Sequence, residues 1–262
     1  MATVNIFVPS FDAHKFSGGL LTTFEYANGL VRKGHIVRVI PIEPSPAPQW
    51  FKPEFELFRY KKSNLATTSL RFLGALAKRD KVTIKEVIGM SLYPFSRWAP
   101  YSYRRARQIE GLREQAIPSS DISMATSYQT AALVHLYGSG KKFYFCQHYE
   151  PYFDVESDFP KLAHLDALTS YYLPDLNLIA NSTWLSAKLR EEVCKDVPVC
   201  TNAIDHNVFF PDGTPPDPRE KFVVLSYGGR RARWKGFEEA AKAIRIARER
   251  IPHLEWRVFG DA

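Results

Sequence analysis

The sequence predicts an α/β fold: a parallel-sheet domain over residues 1–210, a linker over 211–220, and an incomplete second βαβ unit over 221–262. Three observations predict it. Short β-branched, apolar runs alternate with helix-patterned stretches, the signature of parallel strands joined by crossover helices. The run Pro211-Asp212-Gly213-Thr214-Pro215-Pro216-Asp217-Pro218 sustains neither a helix nor a central strand. After it the strand, glycine loop, helix, strand order begins again.

In chain order, residues 3–9 form an apolar strand and 10–17 a loop. From Gly18 to Lys33, Leu20, Phe24, Ala27, Leu30 and Val31 recur at helical spacing, and Gly34 supplies the stop. His35 to Ile42 makes a second strand. Four prolines between 44 and 53 mark residues 43–60 as an irregular connection. Helical stretches follow around 65–79 and 101–115. Asp121 to Ala125 and Phe143 to Gln147 read as further strands, 160–173 as a helix, and Asn177 to Ala180 as a short strand. Asn181 or Ser182 caps the helix Thr183 to Val193 by accepting first-turn N–H groups. Pro198 to Thr201 is extended. Beyond the linker come strand Phe222 to Tyr227, helix Phe237 to Arg250 and strand Glu255 to Phe259. A βαβ unit this small cannot cover its own strands, since independent domains need about 100 residues. The expectation is therefore a fragment of a longer protein.

Composition narrows the class. Hydrophobic residues are 45% and aromatics 14% of the 262, too many for a disordered chain. No apolar run approaches the roughly 20 residues that cross a bilayer, and the amino terminus reads as a strand without a signal-peptide pattern. Cys146, Cys194 and Cys200 are scattered, without a C-x-x-C pair, which fits a reducing, cytoplasmic setting better than a disulfide framework or zinc site. The net charge of +7 favours anionic partners. It recurs in Arg104-Arg105-Ala106-Arg107, in Arg230 to Lys235 and in Arg245 to Arg250, runs that also suit solvated helix faces.

Two glycine loops carry the candidate chemistry. Phe16-Ser17-Gly18-Gly19 lies where the first strand hands over to the first helix. Glycines there admit close backbone approach, and the helix start offers unpaired N–H groups to an anion. It is not G-x-G-x-x-G, which removes the main support for a dinucleotide cofactor. The second loop, Gly228-Gly229-Arg230-Arg231-Ala232-Arg233-Trp234-Lys235-Gly236, sets four cationic side chains beside a helix start. Fixed cations there would stabilise a diphosphate, most of all as it departs and gains charge.

Gly229-Arg230, four residues, then Lys235-Gly236 resembles the G-R-x4-K-G motif of family 4 glycosyltransferases. Asn202-Ala203-Ile204-Asp205 with Phe209 and Pro211 resembles that family's N-G-[VI]-D-x-x-x-F-x-P stretch, with Ala203 in place of the glycine. Gly18-Gly19 and Ile179-Ala180-Asn181-Ser182 fall where the family has its glycine loop and its strand-to-Ser element. The resemblance implies two Rossmann-like domains (the GT-B arrangement), of which this chain would hold the amino-terminal half and the start of the other. It implies transfer of a hexosyl-type sugar from a nucleotide-diphosphate donor to a glycan or lipid-linked acceptor, with retention and without a metal or other cofactor, as in polysaccharide biosynthesis. By that likeness Arg230, Lys235, Gly18 and Gly19 serve the donor phosphates, and His148 points at the transferred sugar. The family's E-x7-E motif has no match in this sequence, which leaves open a catalytically incomplete, donor-binding chain.

Glu150, Asp154, Glu156 and Asp158 read as acidic loop decoration or acceptor contacts, and no D-x-D occurs. No G-x-S-x-G supports a hydrolase. The net charge and the basic, aromatic stretch Tyr93 to Arg107 offer an alternative, a basic module that binds nucleic acid or anionic membrane, and of the two they favour a peripheral contact with anionic membrane at its cytoplasmic face. A nucleic-acid partner is not expected, because no nucleic-acid-binding motif is present.

Overall fold

The structure is a computed structural model that describes residues 1–60, 105, 108–109, 111–112, 115–152, 160–210, 213, 222–228 and 235–260. The helix expected at 65–79, the linker at 211–220 apart from Gly213, and most of the helix expected at 101–115 lie outside the described residues. The chain divides into two compact units: Met1–Pro151 with Val155–Asn202, and Ala203–Ala262 with Tyr152–Asp154. No helix among the described residues is long and apolar enough to cross a membrane.

The first unit is built on a six-stranded, wholly parallel sheet of order β3-β2-β1-β4-β5-β6. The strands are β1 (Thr3–Val8), β2 (Ile36–Pro41), β3 (Glu56–Leu57), β4 (Ile122–Ala125), β5 (Lys141–Cys146) and β6 (Asn177–Ala180). The helices are α1 (Gly18–Arg32), α2 (Tyr128–Tyr137), α3 (Pro160–Ser170) and α4 (Thr183–Val193). β1 is central, and both its faces are buried. Val4, Ile6 and Val8 pack with Phe24 of α1, while Phe7 joins a separate core with Tyr144, Leu178, Leu185 and Leu189. That is why Ile6, Phe7 and Val8 follow one another without alternation, and why the buried Asn5 needs a partner, the Pro118 carbonyl at 2.7 Å.

Local signals explain the element ends. After α1 the Gly34 N–H bonds to the Val31 carbonyl (2.8 Å) and the His35 N–H to that of Leu30 (3.1 Å), a Schellman closure. It requires the left-handed conformation that Gly34 adopts at φ +84. Ser182 caps α4 by accepting the Leu185 N–H at 3.2 Å. Asn181 takes another role, donating its Nδ2 to the Gln147 carbonyl at 3.1 Å. The extended piece at 198–201 joins the sheet edge through an Ala180–Val199 bridge.

Three expectations need revision. The connection at 43–60 contains β3, whose two residues pair with Arg38 and Val39. α2 has no counterpart in the sequence reading: Tyr128, Thr130, Ala131, Leu133 and Val134 are all buried, so the helix lacks the polar face that reveals an amphipathic one. Arg105 is no solvated helix residue. It is 8% exposed and donates to Asp166 (2.8 Å), Gln108 (3.0 Å) and the Gln129 carbonyl (3.1 Å).

The second unit holds β7 (Phe222–Tyr227), α5 (Phe237–Arg250) and β8 (Leu254–Phe259), with β7 and β8 parallel. Phe237 stacks on Trp256 at 5.6 Å, and the Trp256 indole N–H donates to Ser226 Oγ at 3.0 Å. A Cβ on Gly228 would come within 2.5 Å of Val258 Cγ1, so the chain crosses β8 too closely for a side chain there. Arg245, Arg248 and Arg250 are exposed, as a solvated helix face requires.

Candidate functional site

In open parallel sheets ligands bind beyond the carboxyl ends of the strands, where the strand order reverses. Here the order runs one way from β1 through β2 to β3 and the other way from β4 to β6, so the reversal lies between β1 and β4. Gly18 and Gly19 open α1, the helix that leaves β1 at this edge. Ser17 precedes them in extended conformation and makes no side-chain cap, and the first turn holds no acidic residue. The N–H groups of that turn and their positive field are therefore not compensated by a capping side chain.

The two glycines differ. A Cβ built on Gly18 meets nothing within 4 Å, so that position is open. One built on Gly19 lies 3.4 Å from Gln147 Oε1, room enough for alanine and for nothing larger without moving the amide. Gln147 Nε2 donates to Thr23 Oγ1 at 3.3 Å, and Thr23 Oγ1 donates to the Gly19 carbonyl at 2.9 Å. This chain of bonds brings the end of β5 beside the start of α1.

His148 follows Gln147 and is exposed, whereas Tyr149 and Glu150 are buried. The Tyr149 hydroxyl donates to Glu192 at 2.6 Å, with the Lys188 ammonium 5.3 Å from its ring centroid. Glu150 accepts from the Tyr144 hydroxyl and, at 2.5 Å, from the Tyr128 N–H at the start of α2. Burial pushes the Glu150 carboxyl up to about 7, against the opposing pull of those two donors. Burial likewise holds the Tyr144 hydroxyl and the Cys146 thiol well above their ordinary ranges, with the Glu150 charge adding to both.

In the second unit Lys235 is exposed and directly precedes Gly236, the N-cap of α5, which sits at φ +70. The first turn of α5 carries Glu238 and Glu239. Arg230 lies outside the described residues.

Of the sequence-predicted residues, the structure thus gathers Gly18 and Gly19 with the strand end that leads into His148, and it places Lys235 at a helix start. Sequence reasoning missed Gln147, Thr23, Asn181 and Glu150. The first three are ordinary polar residues whose partners lie far along the chain, 124 residues away for Gln147 and Thr23. Glu150, which the sequence groups with acidic loop decoration or acceptor contacts, is a buried anchor, and Asp154, Glu156 and Asp158 lie outside the described residues. Among the described residues no group of three or more His, Cys, Asp or Glu could hold a metal ion.

No family model matches the chain, and no curated protein matches it. Solved structures do. The whole chain aligns with the sucrose-phosphate synthase from Thermosynechococcus elongatus at a TM-score of 0.58 and 13% identity, spanning 63% of that protein, less than two thirds of its length. A lipopolysaccharide outer core galactosyltransferase aligns over 99% of the chain and 69% of its own, at 13% identity and a TM-score of 0.48. A glycosyltransferase from Rickettsia africae aligns over 99% and 68%, at 12% identity and a TM-score of 0.44. At such identities the likeness is one of fold. The α/β architecture with a Rossmann-like parallel sheet, as in GT-B proteins, is the fold of this chain.

Proposed function

We propose that this chain belongs to a retaining glycosyltransferase of family 4 that moves a hexosyl-type sugar from a nucleotide-diphosphate donor to a glycan or lipid-linked acceptor. The observation that carries the reading is the carboxyl edge of the first sheet. There an uncapped, acid-free helix start with an open Gly18 adjoins the β5 end that presents His148. Such an edge is built to meet an anion, and the likeness of Gly229-Arg230 and Lys235-Gly236 to the G-R-x4-K-G motif supports taking that anion as a nucleotide diphosphate.

In this reading residues 1–210 are the acceptor-side domain, and 221–262 begin the nucleotide-sugar-binding domain. Arg230 and Lys235 hold the donor diphosphate, and Gly18 and Gly19 let it approach the α1 backbone. When the bond from the anomeric carbon to the diphosphate breaks, the acceptor oxygen replaces it on the same face and passes its proton to an oxygen of the departing diphosphate. The departing diphosphate gains charge, which the two cations oppose. His148 faces the transferred sugar. No metal or other cofactor takes part, so turnover in excess chelator should match turnover without it.

The test is a panel of nucleotide sugars offered to the complete protein, with hydrolysis or transfer as readout. One donor should be consumed, and Arg230→Ala with Lys235→Ala should abolish this while the protein stays folded. Full activity in that double variant would sink the reading. The net charge of +7 supports a peripheral attachment to anionic lipid at the cytoplasmic membrane face. Sedimentation with anionic vesicles that does not weaken as salt rises would count against it.

A further inference from the structure

We propose that Glu150 is a positioning residue for His148, acting through the Tyr171 hydroxyl that the two residues share. The proposal rests on the reading above, in which His148 faces the transferred sugar.

The geometry is a clamp. The Glu150 N–H donates to the Tyr171 hydroxyl at 3.0 Å, and that hydroxyl donates to the His148 carbonyl at 3.3 Å. One oxygen thus fixes the backbone on both sides of Tyr149. The Tyr171 ring cannot swing, because it stacks on Tyr144 at 5.7 Å and on Tyr149 at 6.0 Å. The Glu150 carboxylate holds the other end, taking the Tyr144 hydroxyl from β5 and the first N–H of α2. One residue therefore ties β5, α2 and the chain after α3 together behind an exposed histidine. With the Asn181 amide on the Gln147 carbonyl at 3.1 Å, the chain on both sides of His148 is tethered.

A carboxylate is a costly choice for this anchor, since burying a charge disfavours folding unless every lone pair is met. The titratable groups that face it are Tyr144 and Cys146 of β5, together with Tyr149 and Tyr171. Burial moves Tyr144, Cys146 and Tyr171 upward, so they stay neutral at pH 7. Beyond Pro151, His164 of α3 contacts the Pro151 carbonyl through Nδ1 at 2.8 Å. Among the carboxyl, hydroxyl and thiol groups of this cluster, the Glu150 carboxyl, at about 7, is the one that changes charge near neutrality. Both donors reach the same oxygen, Oε2, so a proton on Oε1 leaves both hydrogen bonds in place. Because burial raises this carboxyl, the protonated form favours the clamped 148–150 turn and ionisation loosens it.

Glu150→Gln, Glu150→Ala and Tyr171→Phe in the complete protein test this, read by donor turnover against pH, protection of the 147–150 backbone amides from hydrogen exchange, and Tm. The wild type should lose kcat as pH rises through about 7, with protection at 148–150 falling in step. Glu150→Gln keeps an acceptor oxygen for both donors and stays neutral, so it should hold the low-pH kcat without that limb. Glu150→Ala removes the acceptor and should lose about 10²-fold in kcat at every pH, as a misplaced reactive group does, with donor KM little changed. The Tm of Glu150→Gln at pH 8 should not fall, because a carboxyl raised on folding takes stability away as pH climbs from the unfolded value toward the folded one. Tyr171→Phe should lose kcat but keep the limb, since Glu150 still titrates.

Glu150→Gln with the wild-type limb intact, or Glu150→Ala with kcat near wild type, would overturn the proposal. So would a Tm loss at every pH with exchange raised throughout the protein, the mark of a purely structural residue. If the wild type consumes no nucleotide sugar, the proposed function fails and the exchange arm decides alone. Faster exchange confined to 148–150 in Glu150→Ala and Tyr171→Phe then supports the clamp, and unchanged exchange refutes it.

Discussion

Two helices in this protein begin at a glycine after the first strand of their unit, and they begin in opposite electrostatic states. α1 starts Gly18-Gly19-Leu20-Leu21, with no capping hydrogen bond from Ser17 and no acidic residue in its first turn. α5 starts after Gly236 with Phe237-Glu238-Glu239, so two carboxylates already sit at its positive end. Carboxylates there stabilise a helix by about 0.3–1 kcal/mol each at low salt, and so answer part of the field that would otherwise attract a ligand. The contrast teaches that the same sequence cue, glycine before a helix, can serve in two ways. At α1 the backbone itself is available to an anion. At α5 the attraction must come from side chains, with Lys235 exposed one residue before the cap.

The comparison breaks most visibly at the side chains of the second loop. Lys235→Ala should cost about 10²–10³-fold in kcat/KM for the donor, the usual loss when one preorganised charge donor is removed. Arg230→Ala should cost as much, and far-ultraviolet circular dichroism should stay unchanged for both. If either variant keeps wild-type turnover, the α5 start does not act through its side chains.

A smaller effect sharpens the other half. Gly18 has open space around its Cβ position and belongs to α1's first turn, so Gly18→Asp can be accommodated and should stabilise the helix by about 0.3–1 kcal/mol through the dipole. The same carboxylate would occupy the place of a phosphate, and donor affinity should fall about tenfold, a change of roughly 1.4 kcal/mol. Calorimetric titration beside thermal denaturation checks both signs at once. A stabilised variant that still binds donor normally would show that the α1 start is not an anion site.

How far these features could be read beforehand follows from their range. β1, α1 and β2 were legible because strand composition, helical spacing and the Gly34 stop are local. β5, β6, α4 and the second βαβ unit were legible for the same reason. α2 was not, because a helix buried on nearly all sides has no polar face to set its period. β3 was hidden by the four prolines that run up to a strand only two residues long. At the site, the glycines stood out as residue types, but their unlike surroundings depend on Gln147, which arrives from β5. Glu150 was misread because three more acidic residues follow within eight positions, which looks like solvent exposure. What buries it is Tyr144, Tyr171 and the start of α2, contacts made only once the sheet closes.

The smallest effect belongs to Glu238 and Glu239, and it is the one that separates helix field from side-chain charge. Changing both to Gln leaves the shape of the first turn intact and removes two negative charges from the end of α5. Stability should fall by about 0.3–1 kcal/mol per residue in low-salt denaturation, and the loss should shrink as ionic strength rises. Donor affinity should rise slightly, since a competing negative field is gone while Arg230 and Lys235 remain. If affinity falls instead, these glutamates touch the donor, and the two helix starts are alike in contacting it directly. If neither stability nor affinity moves, the field at the α5 start is already screened by solvent, and the charges of the 230–235 loop act without help or hindrance from the helix behind them.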